Sequence, residues 1–136
     1  MNIKKESVIL YAQVLKKCFK NKSVIEIAKE LGYIVMPLNI DPRFLIANTY
    51  VSENKCIITI NSTYSTRAQN VLCAHELGHT ILKHPLKSNY KDTNLKNEYY
   101  ANLFAVSLLF DEDDFNMPFK DMSNYTLQSI LDLNIT

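Results

Sequence analysis

His75-Glu76-Leu77-Gly78-His79 decides how this chain is read, because two imidazoles four residues apart on a helix share one face. At 3.6 residues per turn the rings stand about 40° apart with roughly 5–6 Å between Cβ atoms, so both nitrogens can reach one metal ion at about 2.0–2.1 Å. Glu76 falls about 80° from the bisector of the two rings. It flanks such an ion without ligating it, which suits a base acting on metal-bound water.

The neighbouring residues predict a helix over 63–84. Ala68, Val71, Leu72, His75, His79 and Leu82 share one face, while Cys73, Ala74, Leu77 and Ile81 form the other. A helix apolar all round belongs in a protein interior. Asn61-Ser62, with Ser65 and Thr66 close behind, is the opening signal, and Pro85 closes the helix because the residue before proline avoids helical geometry. Gly78 sits mid-helix, where glycine costs about 1 kcal/mol against alanine, so something must press close there.

A zinc ion needs a third protein ligand, and symmetry about the following loop supplies one. A second helix is predicted over 93–110, joined by the polar connector 87–92. His79 lies as far before the first helix's predicted end as Glu98 lies after the second's predicted start, and such positions face one another in an antiparallel helix hairpin. Glu98 can therefore close a His-His-Glu site that leaves the fourth position to water. Asn102, one turn on, is placed so that its side-chain oxygen could accept the free N–H of a ligand histidine. His84, if the helix stays regular, falls about 160° from the bisector and points away from the metal. It reads as a helix-end residue favoured by the dipole, and Cys73 is excluded as a ligand by the same geometry.

These residues resemble a known family. His75-Glu76-Leu77-Gly78-His79, followed by Glu98-Tyr99-Tyr100-Ala101-Asn102-Leu103-Phe104-Ala105 and Leu108-Leu109, is similar to the ImmA/IrrE family of bacterial metallo-endopeptidases, with its pattern of Glu, two variable positions, Ala-Asn, one variable, Phe-Ala. The match runs from near Ile57 to Leu109. The resemblance implies a zinc-dependent, gluzincin-like protease of α+β type, commonly encoded on phages and mobile elements, whose relatives cleave helix-turn-helix repressors. By position it implies His75, His79 and Glu98 as Zn2+ ligands and Glu76 as catalytic base. The chain departs from the family's frequent Leu-Leu-Met-Pro by reading Leu108-Leu109-Phe110-Asp111, and it leaves little room for an added C-terminal domain.

Composition bounds the rest. With 136 residues, 47% of them apolar, the chain reads as one domain over 1–136 with a substantial core. A net charge of +1 gives no general pull toward nucleic acid or anionic membrane. Cys18, Cys56 and Cys73 are odd in number and widely spaced, so they read as small hydrophobes in a reducing compartment. Lys4-Lys5 before Val8-Ile9-Leu10 faintly imitates a signal peptide, but Gln13, Lys16 and Lys17 interrupt the apolar run and no small-residue cleavage site follows. The expectation is a cytoplasmic protein with no membrane span.

Upstream, Val8, Leu10-Tyr11, Val14-Leu15 and Cys18-Phe19 recur at helical spacing, with Asn21 and Lys22 as the stop. Ser23 with Glu26 makes a capping box for a short helix through Leu31, ended by Gly32. The segments 33–38, 44–51 and 55–60 are rich in branched and aromatic residues and predict three strands, at least the last two a hairpin. Asp111 to Asp114 reads as a solvated acidic turn opening a short helix, and 126–133 as a last packing helix. The expected fold is α+β: helices around a small three-stranded, largely antiparallel sheet, with an antiparallel helix pair carrying the zinc site.

Val24 to Gly32 imitates the first helix of a helix-turn-helix DNA reader. The recognition helix such a reader needs is absent from Tyr33-Ile34-Val35-Met36-Pro37, so no direct nucleic-acid binding is expected. Substrate peptide is expected along an open strand edge, with Lys55 to Ile60 as the candidate edge. Tyr64, Tyr90, Tyr99 and Tyr100 are candidate donors to the oxyanion. Two functions stay open: an endopeptidase cutting a protein partner, or a metal-holding regulatory domain that acts by binding. Glu76 separates them, because a pure binder has no chemical need for a carboxylate there.

Overall fold

Local capping chemistry sets most of the element boundaries. The structure, a computed structural model, describes residues 4–85 and 94–135; the connector 87–92, Tyr90 and the expected helix start at Thr93 lie outside the described residues.

Helix α1 (Lys5–Cys18) buries Val8, Ala12 and Leu15, and Asn21, at φ 72°, turns the chain away. Helix α2 (Val24–Glu30) opens on the expected capping box: Ser23 Oγ accepts from the Glu26 N–H at 3.1 Å, and Glu26 Oε1 accepts from the Ser23 N–H at 2.9 Å. Gly32 follows in the left-handed region at φ 96°, a conformation glycine adopts without penalty. The next element is a strand, so the helix-turn-helix resemblance of Val24 to Gly32 ends there.

Strands β1 (Ile34–Leu38), β2 (Ala47–Ser52) and β3 (Lys55–Asn61) form one sheet in the order β1-β3-β2. The β2–β3 hairpin is antiparallel, as expected, and turns on Glu53 and Asn54 at φ 52° and 64°. Strand β1 pairs parallel to β3, with Ile34 beside Ile57, so the sheet is mixed. This corrects the expected substrate edge: β3 is the central strand, with residues 57–60 paired on both sides, and the edge strands are β1 and β2. The reason is visible in burial, since every residue from Ile57 to Asn61 is buried, as in a central strand covered on both faces.

Helix α3 (Thr66–Ile81) starts at Ser65, whose Oγ accepts from the Ala68 N–H at 3.1 Å. Helix α4 (Leu95–Leu109) starts at Asn94, whose side chain accepts from the N–H groups of Lys96 and Asn97. Both are shorter than predicted because fraying ends need caps and these caps lie inside the predicted spans. The two pack closely at Gly78, as expected: a Cβ there would meet the Ala101 carbonyl oxygen at 3.0 Å and the Phe104 ring at 3.2 Å.

After α4 the acidic run forms a single 3-10 turn (Glu112–Asp114). Lys16 neutralises its start, pairing Asp111 at 3.2 Å and donating to the Phe110 carbonyl at 2.6 Å. Helix α5 (Asn124–Asp132), capped by Ser123, packs on α4. One hydrophobic cluster joins all the helices to the sheet through Val8, Ile27, Ile58, Leu77, Phe104 and Leu127. Among the described residues no helix is long and apolar enough to cross a membrane.

Candidate metal centre

The interior of α3 is apolar on nearly all sides, so its polar side chains must be matched by partners brought from elsewhere. His79 is buried and His75 partly so. Helix α4 brings Glu98 to both: Glu98 Oε1 lies 2.9 Å from His79 Nε2, and Oε2 lies 3.2 Å from His75 Nε2. The two Nε2 atoms are 3.2 Å apart, with the rings edge to face at 87°.

This triangle fits a metal ion. Two imidazole nitrogens and a carboxylate are all electron-rich where they meet, and their lone pairs repel unless a proton or a cation lies between them. Ligands on a tetrahedral zinc with bonds of about 2.0–2.1 Å are roughly 3.3 Å from one another, close to the three separations found. One ligand atom from each of His75, His79 and Glu98 lies within 4.8 Å of the others, and no other such group of metal-binding side chains occurs among the described residues.

Glu76 follows His75 on α3 and is not part of that group. Its Oε1 accepts from Thr49 Oγ1 at 2.9 Å, tying the helix to β2, an edge strand. Thr49 was missed from sequence, because a contact between residues 27 positions apart leaves no local trace.

His84 is placed differently from the expectation. The regular helix ends at Ile81, and Lys83 takes the left-handed conformation at φ 59°. The His84 N–H reaches back to the His79 carbonyl at 2.9 Å and the Lys83 N–H to the Thr80 carbonyl at 3.1 Å, a Schellman-type helix end. The chain reverses there, and His84 Nδ1 comes to 2.9 Å from His79 Nδ1. The helix ends three residues before the expected 84, so the angle of a regular helix does not apply to His84. Burial, and after it the charge of His79, bring the His84 imidazole down to about 4, against the opposing pull of Glu98.

Asn102 is also placed differently. Its Nδ2 donates to Asn124 Oδ1 at 2.8 Å and to Gln128 Oε1 at 3.0 Å. The side-chain oxygen expected on a ligand histidine has no hydrogen-bond partner among the described residues. Helix α5 lies against this part of α4 and takes the amide, so Asn102 joins two helices. Of the tyrosines, Tyr99 and Tyr100 pack on each other with centroids 5.2 Å apart, Lys5 lies over the Tyr99 ring, and Tyr64 packs against the core.

A cavity of about 220 Å³ opens against His75 and Glu98, walled by Val71, Leu72, Leu131 and Ile135 with Gln128 as its polar member. It is large enough for one big apolar side chain, since a cavity of about 150 Å³ accommodates benzene.

A peptidase family model described as the IrrE N-terminal-like domain matches residues 28–129, a span that includes both helices of the site and the whole sheet. Neither a curated protein nor a solved structure matches the chain. With a family match over most of its length, the chain belongs to the metallopeptidase-like family of the IrrE N-terminal-like domain.

Proposed function

We propose that the protein is a zinc-dependent endopeptidase that cuts a specific protein partner. The single observation that carries this reading is the meeting of His75, His79 and Glu98 at ligand spacing, while Glu76, next to His75 on α3, lies outside that group. Two histidine nitrogens and one carboxylate suit zinc among the available divalent metals, and three protein ligands leave a position for water or substrate.

When bound, zinc would polarise the scissile carbonyl and lower the pKa of water toward about 7. Glu76 would take a proton from the attacking water and pass it to the leaving amine. Thr49, donating to one Glu76 oxygen, leaves the other free for that proton. The substrate backbone would lie along the open side of β2, the edge strand in contact with α3. The apolar cavity beside His75 and Glu98 would hold a side chain next to the cleaved bond. The partner we propose is a helix-turn-helix repressor of a phage or mobile element, as the family resemblance implies.

The test is incubation of zinc-loaded protein with the helix-turn-helix product of the adjacent gene, beside Glu76→Gln. Cleavage by the native chain alone supports the enzyme. A stable complex with no cleavage by either chain would replace this reading with a regulatory domain that acts by binding.

A further inference from the structure

We propose that His84 is a positioning residue for the metal site: through its Nδ1 it accepts the Nδ1 proton of His79 and so holds His79 with its Nε2 lone pair turned to the ion. This rests on the reading of His75, His79 and Glu98 as metal ligands.

The Nδ1 atoms of His79 and His84 are 2.9 Å apart, and the ring centroids are 5.1 Å apart. The two nitrogens therefore lie between the rings, facing each other, so one must carry a proton and the other a lone pair. A histidine bound to metal through Nε2 has to carry its proton on Nδ1. His79 is then the donor and His84 the acceptor, which puts the His84 proton on its own Nε2. Metal-bound histidines regularly give their second N–H to a carboxylate, a backbone carbonyl or water. Here a second imidazole has that place, and the backbone delivers it: Lys83 in the left-handed conformation and the His84 N–H on the His79 carbonyl fix where the ring lies. Asn102, the other candidate for this role, has its amide nitrogen on α5, and its oxygen makes no hydrogen bond to a histidine.

The experiment compares zinc affinity, by competition with a chelating indicator, in the native chain, His84→Leu and His84→Asn. Asparagine places an acceptor oxygen close to where Nδ1 stands, whereas leucine fills the space with none. His84→Leu is expected to bind zinc about 10–100-fold more weakly, with His84→Asn recovering most of the loss. In the zinc-loaded native protein, imidazole NMR should show a slowly exchanging Nδ1 proton on His79 that is absent from His84→Leu. Melting temperatures of the metal-free proteins separate this from a folding defect. Equal zinc affinity in the native chain and His84→Leu would overturn the proposal, as would an equal loss in both variants accompanied by an equal drop in melting temperature. Failure of the native chain itself to bind zinc would instead remove the ligand reading on which the proposal rests.

Discussion

Thr49, on the edge strand of the sheet, donates a hydrogen bond of 2.9 Å to the carboxylate of Glu76 on α3. The strand expected to receive substrate and the residue expected to move the proton are thus joined by one contact, so loss of that contact should appear in turnover. A hydrogen bond to a charged group contributes about 1.5–3 kcal/mol. Thr49→Val is expected to lower kcat by about 10–100-fold with KM little changed, and Thr49→Ser to retain most of the rate. A Thr49→Val enzyme with native kcat would show that Glu76 is oriented by other means.

Gly78 is the point of closest approach between α3 and α4. In an ordinary helix Gly→Ala stabilises by about 1 kcal/mol. Here the added Cβ meets the Ala101 carbonyl oxygen at 3.0 Å and Ala101 Cα at 3.2 Å, and overpacking of this kind costs about 1–3 kcal/mol. Gly78→Ala should therefore melt below the native protein and, by spreading the helices that carry His79 and Glu98, bind zinc more weakly. A higher melting temperature with unchanged zinc affinity would contradict this.

The three cysteines should separate by reactivity. Burial foremost, and the nearby Glu76 charge after it, push the Cys73 thiol up to about 12, while Cys18 is exposed. At neutral pH an alkylating reagent should label Cys18 in the native protein and leave Cys73 intact until unfolding, read by mass spectrometry of peptides. The same shift has a sign for stability. An acid whose folded pKa lies above its unfolded value favours the fold below the unfolded value, about 8.5, and that contribution is lost as pH rises toward about 12. Stability of the native chain should therefore fall across this alkaline window, and Cys73→Ala should remove part of the dependence.

Much of the site could be read from sequence because its chemistry is local. The four-residue spacing of His75 and His79 survives any packing of the helix that carries it, and the cost of a mid-helix glycine announced the close neighbour that proved to be Ala101. Glu98 was found because a short connection between two helices constrains which positions can face each other. The capping box of Ser23 and Glu26 likewise acts within one turn.

What escaped depends on distant pairing. Strand order follows from β1 joining β3 in parallel across the hairpin, although the run Ile57-Ile58-Thr59-Ile60 already had the character of a strand covered on both faces. Thr49 reaches Glu76, and Asn102 reaches α5, through tertiary contacts that no periodicity encodes. His84 was misplaced by a local detail: Pro85 marked the helix boundary, but the left-handed turn at Lys83 came first and reversed the ring's direction.

The central claim is that His75, His79 and Glu98 hold one catalytic metal ion while Glu76 stays outside the ligand set. Zinc content per folded chain, measured after exhaustive dialysis of the native protein, Glu98→Ala and Glu76→Gln, tests it most directly. The account predicts about one zinc in the native chain and in Glu76→Gln, and close to none in Glu98→Ala. Full zinc occupancy in Glu98→Ala, or its loss in Glu76→Gln, would contradict it.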